Sequence, residues 1–141
     1  MDDLDYVLNV IEPWLDRYIA DGPTALGHRE TVAVGIWIMD AEVNNGGFDQ
    51  YYANSRGVLA QATVGALYEI GADETASLLE AANKDVPHLP LPDDRDERYE
   101  MLNRVSEYSR FRLLEQEYYE QREDRIALLA NYLRRTEPSD A

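Results

Sequence analysis

The chain has 141 residues, with 28 Asp+Glu against 13 Lys+Arg, a formal net charge of −15, 10 Tyr, 2 His and no Cys. Such acidity argues against direct contact with DNA, RNA or anionic membranes, and the lack of cysteine excludes disulfides, thiolate zinc sites and cysteine nucleophiles. With 45% hydrophobic residues and no apolar run near the ~20 residues of a membrane helix, the simplest reading is one soluble, cytoplasmic domain spanning residues 1–141.

Leu4, Val7, Leu8, Ile11, Trp14, Leu15, Tyr18 and Ile19 follow the i, i+3, i+4, i+7 spacing of an amphipathic helix. Asp5, Glu12 and Asp16 share another face, and Pro13 predicts a kink or two short helices in line. Asp21-Gly22-Pro23 ends this element, and Pro23 to Arg29 reads as a loop. Val32 to Met39 carries no charge and continues through Val43, which predicts the central core helix, with Gly35 admitting a close neighbour. Gly46-Gly47 is expected to stop it, with Asn44 or Asn45 and Gly46 in left-handed conformations, and a short segment Phe48 to Ala53 follows.

Val58 to Ile70 reads as a helix closed by Gly71, with Leu59, Ala62, Ala66, Leu67 and Ile70 facing inward. Asp73 is the expected N-cap of a helix through Asn83, packed by Ala76, Leu79 and either Ala82 or Leu78. Pro87, Pro90 and Pro92 make Asp85 to Asp94 an irregular loop. Asp93 or Asp94 caps a long helical region from about Arg95 to Tyr119. The last helix runs from about Arg122 to Arg135, with Ile126, Leu129, Ala130 and Leu133 inward and a frayed tail over 136–141. The fold class is all-α, a compact bundle of six to seven helices.

The charge is uneven. Residues 1–50 carry a net −8 and residues 93–141 a net −4, the latter densely charged but mixed in sign. Lys84 is the one lysine, and the other basic residues are arginine. An acid-rich, lysine-poor surface also suits solubility in high salt. No catalytic or metal constellation stands out. Neither His28 nor His88 has a glutamate three residues before it, no Gly-x-Ser-x-Gly elbow occurs, and Gly46-Gly47 is not followed by a phosphate-binding lysine. We expect no metal, no cofactor and no enzymatic activity.

One stretch concentrates amides, aromatics and glycines: Glu42-x-x-Asn45-Gly46-Gly47-Phe48-x-Gln50-Tyr51-Tyr52-x-Asn54-Ser55-x-Gly57. Phe48, Tyr51 and Tyr52 at i, i+3, i+4 can bury one side, and Gln50 and Asn54 at i, i+4 can bond exposed backbone at a helix corner. The same amides and hydroxyls could instead line a ligand pocket. This pattern resembles the hallmark of a bacterial domain family whose studied member is a DNA-mimic protein, and the likeness in organisation covers essentially the whole chain. The resemblance implies an all-helical fold and, as in that member, a dimer whose acidic surface occupies the DNA-binding site of a transcription factor.

Three functions follow as alternatives. The first is an interaction protein presenting carboxylates to a basic DNA-binding protein. Duplex DNA offers about one charge per 1.7 Å of axis, whereas one helix face offers about one per 5 Å, so mimicry needs two acidic helices or a dimer. Asp2, Asp3, Asp5, Glu12, Asp16 and Asp21 form the first candidate surface, and Glu115, Glu117, Glu120, Glu123 and Asp124 a second strip, interrupted by Arg122 and Arg125. The second function is a small-molecule or catalytic site at the motif corner. The third is an immunity-type inhibitor of a basic toxin nuclease.

Overall fold

A computed structural model describes residues 1–120 and 122–138. Seven α-helices and one 3-10 turn make up these residues, with no strand among them, so the chain is an all-α single domain. Helix α1 (Asp3–Asp21) runs continuously with Pro13 inside it, capped by the Asp2 carboxylate, which accepts the Asp5 N–H at 2.8 Å. It packs on α7 (Arg125–Arg135) and on the start of α2 (His28–Ser55). Its expected apolar stripe is only partly used: Val7 and Ile11 are buried, but Leu4, Leu8 and Ile19 are exposed. A 3-10 turn, Pro23–Ala25, replaces most of the expected loop, and α2 starts at His28, where the Glu30 carboxylate accepts the Gly27 N–H at 2.9 Å.

Helix α2 forms the core. Val32, Ala33, Ile36, Met39 and Val43 are buried, and α3 (Ala60–Ile70) approaches closely at Gly35, where a Cβ would lie 2.4 Å from Thr63 Oγ1. In α3 it is Thr63, not Ala62, that turns inward, and Gly71 closes the helix at φ 90°. Helix α4 (Asp73–Asp85) buries Ala76 and Leu79 as expected, together with both Leu78 and Ala82. Asp73 is its first helical residue rather than its cap; the capping carboxylate comes from Glu123, which accepts the N–H groups of Glu74 at 3.0 Å and Thr75 at 2.8 Å.

The region expected as one long helix is two, α5 (Arg95–Tyr108) and α6 (Phe111–Glu120). Asp85 accounts for the break, because it accepts the Arg110 N–H at 2.9 Å and also pairs with the Arg110 guanidinium. The change of direction delivers Phe111 into the core, 5.4 Å from the Tyr52 ring and 5.8 Å from Phe48. Asp94 caps α5 as expected, and α7 buries Leu129, Ala130 and Leu133. The expected frayed tail is tied down at its start: Thr136 Oγ1 accepts from Arg29 Nε at 2.9 Å, and Glu137 accepts the Tyr6 hydroxyl at 2.8 Å. Residues 139–141 lie outside the described residues.

Candidate functional site

The motif stretch is a joint inside α2. Helical geometry fails at Gly46 (φ −157°, ψ 20°) and Gly47 (φ 76°, ψ −172°), then resumes at once through Ser55. The expected stop is therefore a break without a loop, and the left-handed residue is Gly47 rather than Asn44, Asn45 or Gly46. Restarting a helix leaves its first N–H groups without intrahelical acceptors. Glu115 Oε1, from α6, accepts the Phe48 N–H at 2.9 Å and fills the notch above Gly47, where a Cβ would sit 2.3 Å from that oxygen.

Other motif residues complete the joint. Phe48, Tyr51 and Tyr52 are essentially fully buried, as their spacing predicts. Tyr52 donates its hydroxyl to Asn83 Oδ1, and Ser55 Oγ donates to the Tyr51 carbonyl while accepting the Gly57 N–H. Gly57 (φ 66°) leaves room for Leu89 of the proline loop, which a Cβ would approach to 2.5 Å. Gln50 Nε2 and Asn54 Nδ2 do not bond backbone; both donate to Glu42 Oε2, each at 2.8 Å. Asn45 is exposed.

A second polar cluster ties α2 to the C-terminal helices. Arg125 Nε lies 2.7 Å from Asp40 Oδ1, with both side chains largely buried, and its guanidinium sits 3.8 Å over the Tyr118 ring. Tyr118 donates its hydroxyl to the same Asp40 carboxylate. Burial and that carboxylate push the Tyr118 hydroxyl far up, and burial does the same to Tyr51 and Tyr52, so all three stay neutral. Burial also raises the Glu115 carboxyl above the usual carboxylate range, although the Phe48 N–H pulls the other way.

The acids expected to form an interaction surface divide by use. Asp5, Glu12, Asp16 and Asp21 are exposed with no cation in salt-bridge reach among the described residues. Asp2 serves as a cap and Asp3 pairs with Arg134 at 3.0 Å. On the second strip Glu117 and Glu120 are exposed, whereas Glu115 and Glu123 bond backbone inside the fold and Asp124 caps α7 through the Ala127 N–H. The strip is thus not one outward line.

A further line, not evident from the sequence, lies on α5. Asp96, Glu100 and Glu107 are exposed, spaced 4 and 7 residues apart on one face, and unpaired among the described residues. Mixed sign in the sequence concealed it. Arg98 is turned inward, with Nε on the Ala53 carbonyl at 2.9 Å and Nη1 on those of Pro92 and Asp93, each at 2.9 Å. Arg125 is held by Asp40, and Arg135 reaches the Glu69 carbonyl at 3.3 Å. Arg98, Arg125 and Arg135 thus serve the fold, whereas Arg95, Arg104, Arg112 and Arg122 are exposed.

Among the described residues no group of three or more His, Asp or Glu could hold a metal ion, and no helix is long and apolar enough to cross a membrane. Comparison with curated proteins and with solved structures gives no match. Comparison with protein families matches residues 24–136 to the family described as DMP19-like protein. The match spans the Glu42–Gly57 joint and every helix except α1. The chain belongs to the DMP19-like protein family.

Proposed function

We propose that the chain is a non-enzymatic, acidic interaction protein that acts as a DNA mimic, presenting carboxylates where a basic DNA-binding protein such as a transcription factor expects phosphates. The observation that carries this reading is that Asp5, Glu12 and Asp16 on α1 and Asp96, Glu100 and Glu107 on α5 are exposed with no cation in salt-bridge reach among the described residues, while Arg98 and Arg125 turn inward. A helix rises about 1.5 Å per residue, so acids four and seven residues apart recur at about 6 and 10 Å along each line. That is sparser than one DNA strand, with about 3.4 Å between phosphates. Two lines, or a second copy of the chain as the resemblance implies, bring the density closer. Membership of the DMP19-like protein family supports the same reading.

The test is affinity capture on the immobilised chain from native lysate at low salt, with mass spectrometry as salt rises and a final elution by duplex DNA. The expected result is one basic DNA-binding protein that duplex DNA releases. A captured protein that duplex DNA fails to displace, or an empty eluate, counts against mimicry. Capture of a toxin nuclease instead would support the immunity-type alternative, which uses the same electrostatics.

A further inference from the structure

The joint has an outward side that its structural role does not use. Between the second half of α2 and α5 lies an open cleft of ≈ 770 Å³, lined by Asn45, Asp49, Gln50, Asn54, Asn103 and Ser106, with the half-exposed Tyr99 ring at one wall and no Lys or Arg among its lining residues. Its hydrogen-bonding character is set by Glu42. An ionised carboxylate only accepts, so Gln50 and Asn54, which both reach Glu42 Oε2, must each turn their NH2 groups to it and their oxygens away. Gln50 Oε1 accordingly stands over Gly46, 2.0 Å from where a Cβ would be, and Gly46 is itself exposed. Ser106 donates its hydroxyl proton to Asp49. Gln50, Asn54 and Ser106 each therefore spend their donors inside the protein and keep an oxygen that can accept, beside the charge of Asp49 and in a chain of net −15.

We propose that this cleft is a binding site for a guanidinium group, the side chain of an arginine on the basic partner. This inference rests on the proposed function and adds to it a specific pocket. Several acceptors beside a carboxylate suit a planar cation with five N–H donors, whereas an ammonium has three donors and holds its water more tightly. An aromatic wall adds a surface on which a guanidinium stacks. The Tyr99 ring already carries one, from Arg95, at 5.3 Å.

The experiment titrates N-acetyl-L-argininamide into the full-length 15N-labelled chain at low salt and follows the side-chain amide signals of Asn45, Gln50, Asn54 and Asn103. Saturable shifts at these groups are expected, with N-acetyl-L-lysinamide and spermidine binding about tenfold more weakly. Spermidine represents a free polyamine, so its arm separates that source of cationic donors from a protein side chain. Asn54→Lys, at an exposed position, places a cation in the cleft and should abolish the shifts. Asp5→Asn with Glu12→Gln and Asp16→Asn should leave them unchanged. Equal responses to lysinamide or spermidine, or a response that survives Asn54→Lys, would overturn the site. If argininamide fills the cleft but the chain binds no basic DNA-binding protein, the proposed function fails and the guanidinium site stands. Charge-dependent binding of such a protein with a silent cleft would overturn the site and leave the proposed function standing.

Discussion

Glu42 and Glu115 each receive hydrogen bonds from α2, whereas Asp5, Glu12 and Asp16 on α1 face solvent with no cation near them. The two regions use one residue chemistry for opposite purposes. At the joint a carboxylate offsets the cost of a broken helix, since an N–H left unpaired in a buried place is more costly than the mean worth of one hydrogen bond. On α1 a carboxylate does little for the fold and sets the field outside it. Acid content alone therefore does not locate a surface. What locates it is which acids the arginines reach: Arg98 and Arg135 go to backbone carbonyls, Arg125 to Asp40, Arg110 to Asp85 and Arg134 to Asp3, and none of them to Asp5, Glu12 or Asp16.

Substitutions should separate the regions cleanly. The largest effect is expected at the edge of the joint. Asp40→Ala takes the shared acceptor from the buried Arg125 guanidinium and from the Tyr118 hydroxyl, so unfolding in urea should show a loss of about 3–5 kcal/mol. Next, Gly47→Ala forces a side chain to φ 76° and into the Glu115 carboxylate. Backbone strain of this kind costs about 1–3 kcal/mol, and displacing Glu115 adds to it. A Gly47→Ala chain as stable as the parent would show that the break in α2 does not need glycine.

The Glu115 pair gives a smaller and pH-dependent contrast. Glu115→Ala leaves the Phe48 N–H without its acceptor and should cost about 1–3 kcal/mol. Glu115→Gln keeps an oxygen acceptor and removes the charge. Because burial raises this carboxyl in the folded chain, the protonated form is favoured by folding. That contribution is complete below the ordinary carboxylate range and is lost as pH rises through the raised value. Glu115→Gln should therefore flatten the dependence of stability on pH in this window and hold its stability at neutral pH. An unchanged pH profile would show that Glu115 is not the group responsible.

Much of the fold is legible in the sequence. The stripes of α4 and α7, the Asp94 cap and the Gly71 terminator follow from local spacing and turn chemistry, which act within one element. The failures share a cause: they depend on partners distant in the chain. Asp85 divides the 95–119 region from 25 residues away, and Glu123 replaces Asp73 as the cap of α4 from about 50. On α1 the apolar stripe is correct as a helix but too wide as a core face, because the neighbouring helices fully cover only Val7 and Ile11. At the site, the aromatic half of the motif could be read from its spacing. The inward turn of Arg98 could not, and with it the unmatched line Asp96, Glu100, Glu107 stayed hidden. Spacings of 4 and 7 between those acids were the one available signal.

The acid lines provide the smallest effect on stability and the closest probe of function. Asp5→Asn, Glu12→Gln and Asp16→Asn on α1, combined with Asp96→Asn, Glu100→Gln and Glu107→Gln on α5, change exposed side chains, and each substitution should shift stability by no more than about 0.5 kcal/mol. The decisive measurement is the dissociation constant for the captured basic protein across a salt series, for the parent and the sixfold variant, beside their urea midpoints. DNA mimicry by these lines requires a steep salt dependence in the parent that flattens in the variant, with affinity at low salt falling and the midpoint holding. Parallel salt curves at equal affinity would refute it.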